Sequence, residues 1–108
     1  RLQGARLSAF RGRDAILLQY EVDTVAGTRA MQVLAFSAHD MAWGRIVKTV
    51  RGGRELYLDE HLGVRAVATV DRGYAYVFAS SAMSHEELAL VVERMNWCQG
   101  RGADAAGC

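Results

Sequence analysis

Three histidines stand beside carboxylates in this chain: His39 before Asp40, His61 after Glu60 and His85 before Glu86. A neighbouring carboxylate raises the pKa of an imidazole, so each pair is formally a candidate for acid/base work. Sequence neighbours seldom face one another, however. Along a strand adjacent side chains point to opposite faces, and His85 falls in the exposed first turn of an expected helix. All three are therefore read as solvated or loop histidines.

Other chemistry has less support. Metal binding calls for ligands at spacings such as Cys-x-x-Cys or His-x-x-x-His, and neither occurs. Met31, Met83 and Met95 fall where core residues belong, so neither a metal nor a cofactor is expected. Cys98 and Cys108 both lie in the last eleven residues. They read as idle thiols, with a loop-closing disulfide as the alternative in an oxidising compartment. Phosphate-cradling Gly-x-x-x-x-Gly-Lys-Ser/Thr, dinucleotide Gly-x-Gly-x-x-Gly and nucleophile-elbow Gly-x-Ser-x-Gly motifs are absent from the sequence. Turn formation accounts for Ser80 and Ser81. No catalytic constellation emerges, and the reading is a non-enzyme. What remains is a break in the strand pattern over 37–44, where His39, Met41 and Trp43 form the candidate partner or signal surface. Trp43 and Trp97 would mark a contact surface if exposed, and lids over the core if not.

The elements that position these residues are organised around 64–97. Val64, Ala66, Val67, Ala68 and Val70 form one apolar arm, and Tyr74, Tyr76, Val77, Phe78 and Ala79 form another. The turn at Asp71-Arg72-Gly73 joins them as an antiparallel pair. Ser84 and Glu87 stand at capping-box spacing, Met83 and Leu88 at that of a hydrophobic staple, and Glu86 and Glu87 at the positive end of the helix dipole. Leu88, Val91, Val92 and Met95 recur at i, i+3, i+4 and i+7, which predicts one apolar stripe that needs a sheet face to cover.

Upstream, residues 2–10 and 15–22 read as a hairpin, 28–37 as a third strand, and 45–50 and 55–58 as two shorter strands around Arg51-Gly52-Gly53-Arg54. Strands preceding a single terminal helix predict an α+β fold. The expected form is an antiparallel curved sheet of about six strands with one C-terminal helix packed on one face. Residues 1–97 form one domain and 98–108, rich in Gly, Ala and polar residues, a flexible tail.

Composition bounds the function. A chain of 108 residues, 51% of them hydrophobic, can build one core. Thirteen basic against twelve acidic residues leave a formal charge of +1, which gives no reason to invoke nucleic acid or a membrane surface. Arg1, Arg6, Arg11 and Arg13 cluster near the start and read as a solvated strand face. No apolar run approaches the ~20 residues needed to span a bilayer and no signal-peptide pattern opens the chain, so the chain as given reads as soluble. Its start at Arg1 reads as a mature product or a fragment.

The order of the pieces adds a resemblance. Gly4-Ala5-Arg6-Leu7-Ser8 is followed by Arg11-Gly12-Arg13-Asp14-Ala15 and an apolar strand reaching Tyr20-Glu21. A strand ending near Phe36 comes next, then Gly53-Arg54-Glu55-Leu56-Tyr57-Leu58 leading to Gly63-Val64, and Tyr74-Ala75-Tyr76-Val77 before a helix opening with Glu87-Leu88. Over residues 3–95 the chain resembles the extracytoplasmic domain of bacterial transmembrane anti-sigma factors. The zinc-bearing His-x-x-x-Cys-x-x-Cys module and the membrane helix of such proteins are absent here, and Ala68 stands where the family often has tryptophan. The resemblance implies a periplasmic sensory domain responding to a signal, a periplasmic protein or a protease. Its sigma factor would be held by a cytoplasmic region outside this chain, and the membrane touched only through a helix also outside it. It carries over no signal-binding residue.

Two alternatives belong to other classes: a small α+β ligand-binding module with its pocket between sheet and helix, and a cofactor-free oxygenase-like dimeric enzyme. The oxygenases alternate strands with two substantial helices, whereas the first 80 residues here show no convincing helix.

Overall fold

The structure is a computed structural model and describes residues 1–39 and 46–95. Met41, Trp43, Trp97, Cys98, Cys108 and the expected tail over 98–108 lie outside the described residues. Seven strands and one helix follow in the order β1 (Leu2–Phe10), β2 (Arg13–Thr24), β3 (Gly27–Ser37), β4 (Val47–Arg51), β5 (Arg54–His61), β6 (Val64–Asp71), β7 (Tyr74–Ser80) and α1 (His85–Arg94). All strand pairs are antiparallel, in one sheet of order β1-β2-β3-β7-β6-β5-β4. Two meanders thus meet where β3 pairs with β7.

The expected α+β class holds, and the sheet has seven strands, slightly more than the expected count of about six; each of the seven apolar runs read in the sequence is one of them. Strand ends differ from expectation, and the reason lies in the turns. Arg11-Gly12, Gly52-Gly53, Leu62-Gly63 and Arg72-Gly73 all have positive φ at both positions, the two-residue geometry that matches the twist of flanking strands. Each turn lets both arms pair up to its edge. The short arm expected over 55–58 therefore runs from Arg54 to His61, carrying polar Asp59, Glu60 and His61 opposite Ala66, Arg65 and Val64. The arm expected over 45–50 begins at Val47 and ends at Arg51. Arg11, Leu62 and Arg72, with φ of 50°, 52° and 54°, are the costly members of this set, because an L side chain in the left-handed region crowds the backbone.

One face of the sheet carries the main core. Met31, Val33, Leu56, Val67 and Phe78 cluster with Met83 and with Leu88, Ala89 and Val92 of α1. Val33 pairs with Phe78 and Phe78 with Val67 across the middle strands. The capping box is formed in full: the Glu87 N–H donates to Ser84 Oγ (3.1 Å) and the Ser84 N–H donates to Glu87 Oε1 (3.0 Å). Met83 and Leu88 are both fully buried, as a staple requires.

The apolar stripe of α1 is rotated from the expected one. Ala89 is buried, Val91 is half-buried and Met95 is 40% exposed. Small Ala89 faces the sheet and lets the helix approach closely. Met95 is the C-cap with extended backbone (φ −65°, ψ 144°), so it has left the helical path that would have carried it to the core. The opposite face of the sheet is also apolar, with Ala15, Phe36 and Ala75 buried and Phe10 stacked on Phe36 at 4.7 Å between ring centroids.

Because Leu88 is fully enclosed, Leu88→Ala is expected to cost roughly 2 to 5 kcal/mol, Ser84→Ala about 1 kcal/mol, and Met95→Ala about 0.5 kcal/mol or less. Thermal or denaturant unfolding ranks the three; a Met95→Ala loss as large as that of Leu88→Ala would contradict the helix placement. Separately, Leu62→Asn is expected to raise stability by about 1 kcal/mol, since asparagine tolerates the left-handed backbone. Unchanged or lower stability would show that no strain resides there.

Candidate functional site

Among the described residues, helix α1 is tied down by polar contacts on one flank. His85 Nε2 lies 2.7 Å from the Asp59 carbonyl oxygen of β5, and Arg65 Nη1 donates to the Met83 carbonyl at 3.2 Å. From the edge strand β4, Arg51 reaches over to Glu86 (3.0 Å) and Glu93 (2.8 Å), two carboxylates two turns apart on the helix. Its pKa is raised chiefly by the hydrogen bond to Glu86. These contacts hold the helix against β4, β5 and β6.

On the other flank the helix stops short of the β2–β3 hairpin and leaves a groove of approximately 390 Å³. Val22 and Val25 form the hairpin side; Leu90, Val91 and Met95 form the helix side. Val25 is fully exposed, Leu90 is 38% exposed and Met95 40%. Asp23, Glu87 and Arg94 stand among these apolar walls as charged groups. The hairpin wall is held in shape locally. Thr24 Oγ1 donates to the Gly27 carbonyl (2.7 Å) and accepts from the Ala26 N–H (3.1 Å), while Thr28 Oγ1 donates to Asp23 Oδ1 (3.0 Å). A concave, largely apolar site with a few charged groups is the usual form of a small-molecule binding site.

A second polar feature lies toward the β5–β6 pair. Arg54 Nη2 meets Asp71 Oδ1 at 3.2 Å with side chains only 10% and 8% exposed, and Arg54 Nη1 donates to the Val70 carbonyl at 3.2 Å. Thr69, fully buried, donates to the Glu55 carbonyl at 3.0 Å. Pairing and hydrogen bonding offset the cost of removing these charges from water, so this is a structural ion pair of the strand ladder. Burial, and next the charge of Asp71, pushes the Tyr76 phenol above its ordinary pKa; burial does the same to Tyr57, helped by Glu55.

Of the residues expected to form a partner surface, His39 is exposed in the turn after β3, where its backbone N–H donates to Ser37 Oγ at 3.3 Å. Met41 and Trp43 lie outside the described residues. His61 ends β5 and is exposed, as expected. His85 differs from expectation: it is half-buried and bonded to the β5 backbone, because the close approach of α1 brings the first helical turn onto Asp59. The three histidines therefore sit on separate elements. Among the described residues no group of three or more His, Cys, Asp or Glu could hold a metal ion, and no helix is long and apolar enough to cross a membrane.

The ligand-binding alternative expects a pocket between sheet and helix, but the sequence assigned no residues to it. Its signal was present in the uninterrupted apolar run 88–92, wider than one stripe, which a narrow helix–sheet contact cannot cover. Comparison with protein-family models, with curated proteins and with solved structures finds no match.

The raised phenol pKa values carry a testable sign. An acid whose pKa is higher in the fold than in the unfolded chain ionises first on unfolding, so stability is held below about pH 10 and falls as pH rises beyond it. Tyr76→Phe is expected to make that alkaline decline shallower, measured by urea unfolding between pH 8 and 11 (roughly the range over which a phenol titrates). An unchanged slope would exclude Tyr76 as a contributor.

Proposed function

We propose that this chain is a non-catalytic binding domain, the extracytoplasmic sensory domain of a bacterial transmembrane anti-sigma factor. The ordered sequence pieces that resemble that family support the assignment. The observation that carries the binding role is the groove beside α1, open on the one flank where the helix is not tied to the sheet. In this reading the domain is periplasmic, and its signal is a molecule or a periplasmic protein or protease. The sigma factor is held by a cytoplasmic region joined to it through a membrane helix, both outside this chain.

A partner that inserts an apolar group between Val25 and Leu90 touches the hairpin and the helix together. If it binds one helix position more tightly than another, it shifts the population between them by that difference in affinity. Helix α1 is the element best placed to relay occupancy. Its cap restrains its start and Arg51 holds one flank along its length through Glu86 and Glu93, while its outer flank, Leu90 and Val91, faces the groove. The same groove also favours a second reading, a ligand-binding module without a sigma-factor partner.

The test uses the complete reading frame that contains this chain, with a sigma-dependent reporter. Deleting that reading frame is expected to raise reporter output several-fold, and Leu90→Arg, which fills the groove with charge without entering the core, to change signal-dependent output. Leu88→Ala should change it more than Ser84→Ala, in the order of their effects on stability. A reporter indifferent to the deletion would remove the anti-sigma role and leave the ligand-binding module. Leu90→Arg protein of normal stability and normal response would remove the groove from the mechanism.

A further inference from the structure

We infer that the free edge of β1 is a homodimerisation surface, on which a second copy of this chain adds its own β1 antiparallel about a two-fold axis beside Leu7. The inference rests on the edge strand and is independent of the groove.

The two edges of the sheet differ. Strand β4 is five residues long, carries Lys48 bonded to Glu55 at 3.3 Å, and is crossed by the Arg51 contacts to α1. Such an edge is short, charged and partly covered, the usual protection against pairing with another chain. Strand β1 has little of this beyond one charge and an irregularity at its start, between Leu2 and Gly4. It runs for nine residues, is almost entirely exposed, has no proline or lysine, and has Arg6 as its sole charged residue. Leu7 is 86% exposed, and beside it Ile16, its partner on β2, is 47% exposed. Helix α1 lies over β6 and β7 and leaves this end of the sheet uncovered among the described residues.

The register of β1 selects one way of pairing. Its ladder with β2 is interrupted between Leu2 and Gly4 and then runs without a break from Gly4 to Phe10. The centre of that regular stretch is Leu7. A two-fold axis beside Leu7 uses all of it: Leu7 faces Leu7 of the second copy, Ala5 faces Ala9, Arg6 faces Ser8 and Gly4 faces Phe10. Odd positions meet odd and even meet even, so backbone donors and acceptors turned outward on one strand meet those turned outward on the other. The side chains agree. The exposed leucines cover each other, each arginine meets a serine, and Gly4 places no side chain opposite Phe10, whose ring is stacked on Phe36 within its own sheet. Shifting the axis to Arg6 would set two arginines directly opposite, which is destabilising, and would run the pairing into the irregularity at Leu2.

The expected dimer is tested with the 108-residue chain. Sedimentation equilibrium over a hundred-fold concentration range should show the mass rising toward twice that of one chain and no further. In a background with Cys98→Ser and Cys108→Ser, Leu7→Cys should cross-link to dimer under mild oxidation at least several-fold more than Arg6→Cys or Ser8→Cys, whose counterparts are offset. Leu7→Lys, which places two like charges at the axis, should weaken association at least ten-fold while leaving the circular dichroism spectrum unchanged. A chain that stays monomeric throughout, an assembly that grows beyond two, or equal cross-linking at all three positions would each overturn the proposal. If Leu7→Lys does not fold, the cysteine series decides alone.

Discussion

Burial of Met83 and Leu88 beneath the start of α1 is the interaction on which the rest of the molecule depends. Both are fully enclosed, in one cluster with Leu56, Val67 and Phe78, and each such side chain contributes roughly 1.5 to 3 kcal/mol by leaving water. The capping box between Ser84 and Glu87 sets where the helix begins, and so which residues reach the sheet. It is the smaller contribution in energy and the larger in specificity. Once the start is set, Ala89 and Val92 follow onto the sheet, and Leu90 and Val91 are carried to the flank that borders the groove.

The groove follows from an asymmetry of attachment. Arg51, Arg65 and the Asp59 carbonyl hold α1 toward β4, β5 and β6, while nothing comparable draws it toward the β2–β3 hairpin among the described residues. The sheet is seven strands wide and the helix covers only part of one face, so apolar residues of β1 and β2 remain outside its reach. The same shortage of cover produces both surfaces discussed above, the groove beside the helix and the open edge at β1.

Much of the architecture was legible because it is encoded locally. Turns such as Leu62-Gly63 and Arg72-Gly73 mark hairpins by residue type, runs of β-branched, aromatic and small apolar residues over 64–70 and 74–79 mark strands, and Ser84 with Glu87 marks the helix start. Strand ends were less legible. Asp59, Glu60 and His61 look like loop, yet they are strand because the Leu62-Gly63 turn commits both arms to a ladder regardless of polarity. Met95 looked like core because periodicity extends a helix indefinitely, whereas its extended backbone ends the helix at Arg94.

By itself, then, the sequence determined the α+β class, the antiparallel hairpins, the helix and its cap, since each rests on interactions between residues a few positions apart. Only the tertiary structure decided the meeting of β3 with β7, the rotation that buries Ala89, the tethering of α1 by Arg51 from across the sheet, and hence the groove. These depend on contacts between residues as far apart as Arg51 and Glu93. Local propensity has no means of selecting among such partners; packing of the whole sheet against one helix does.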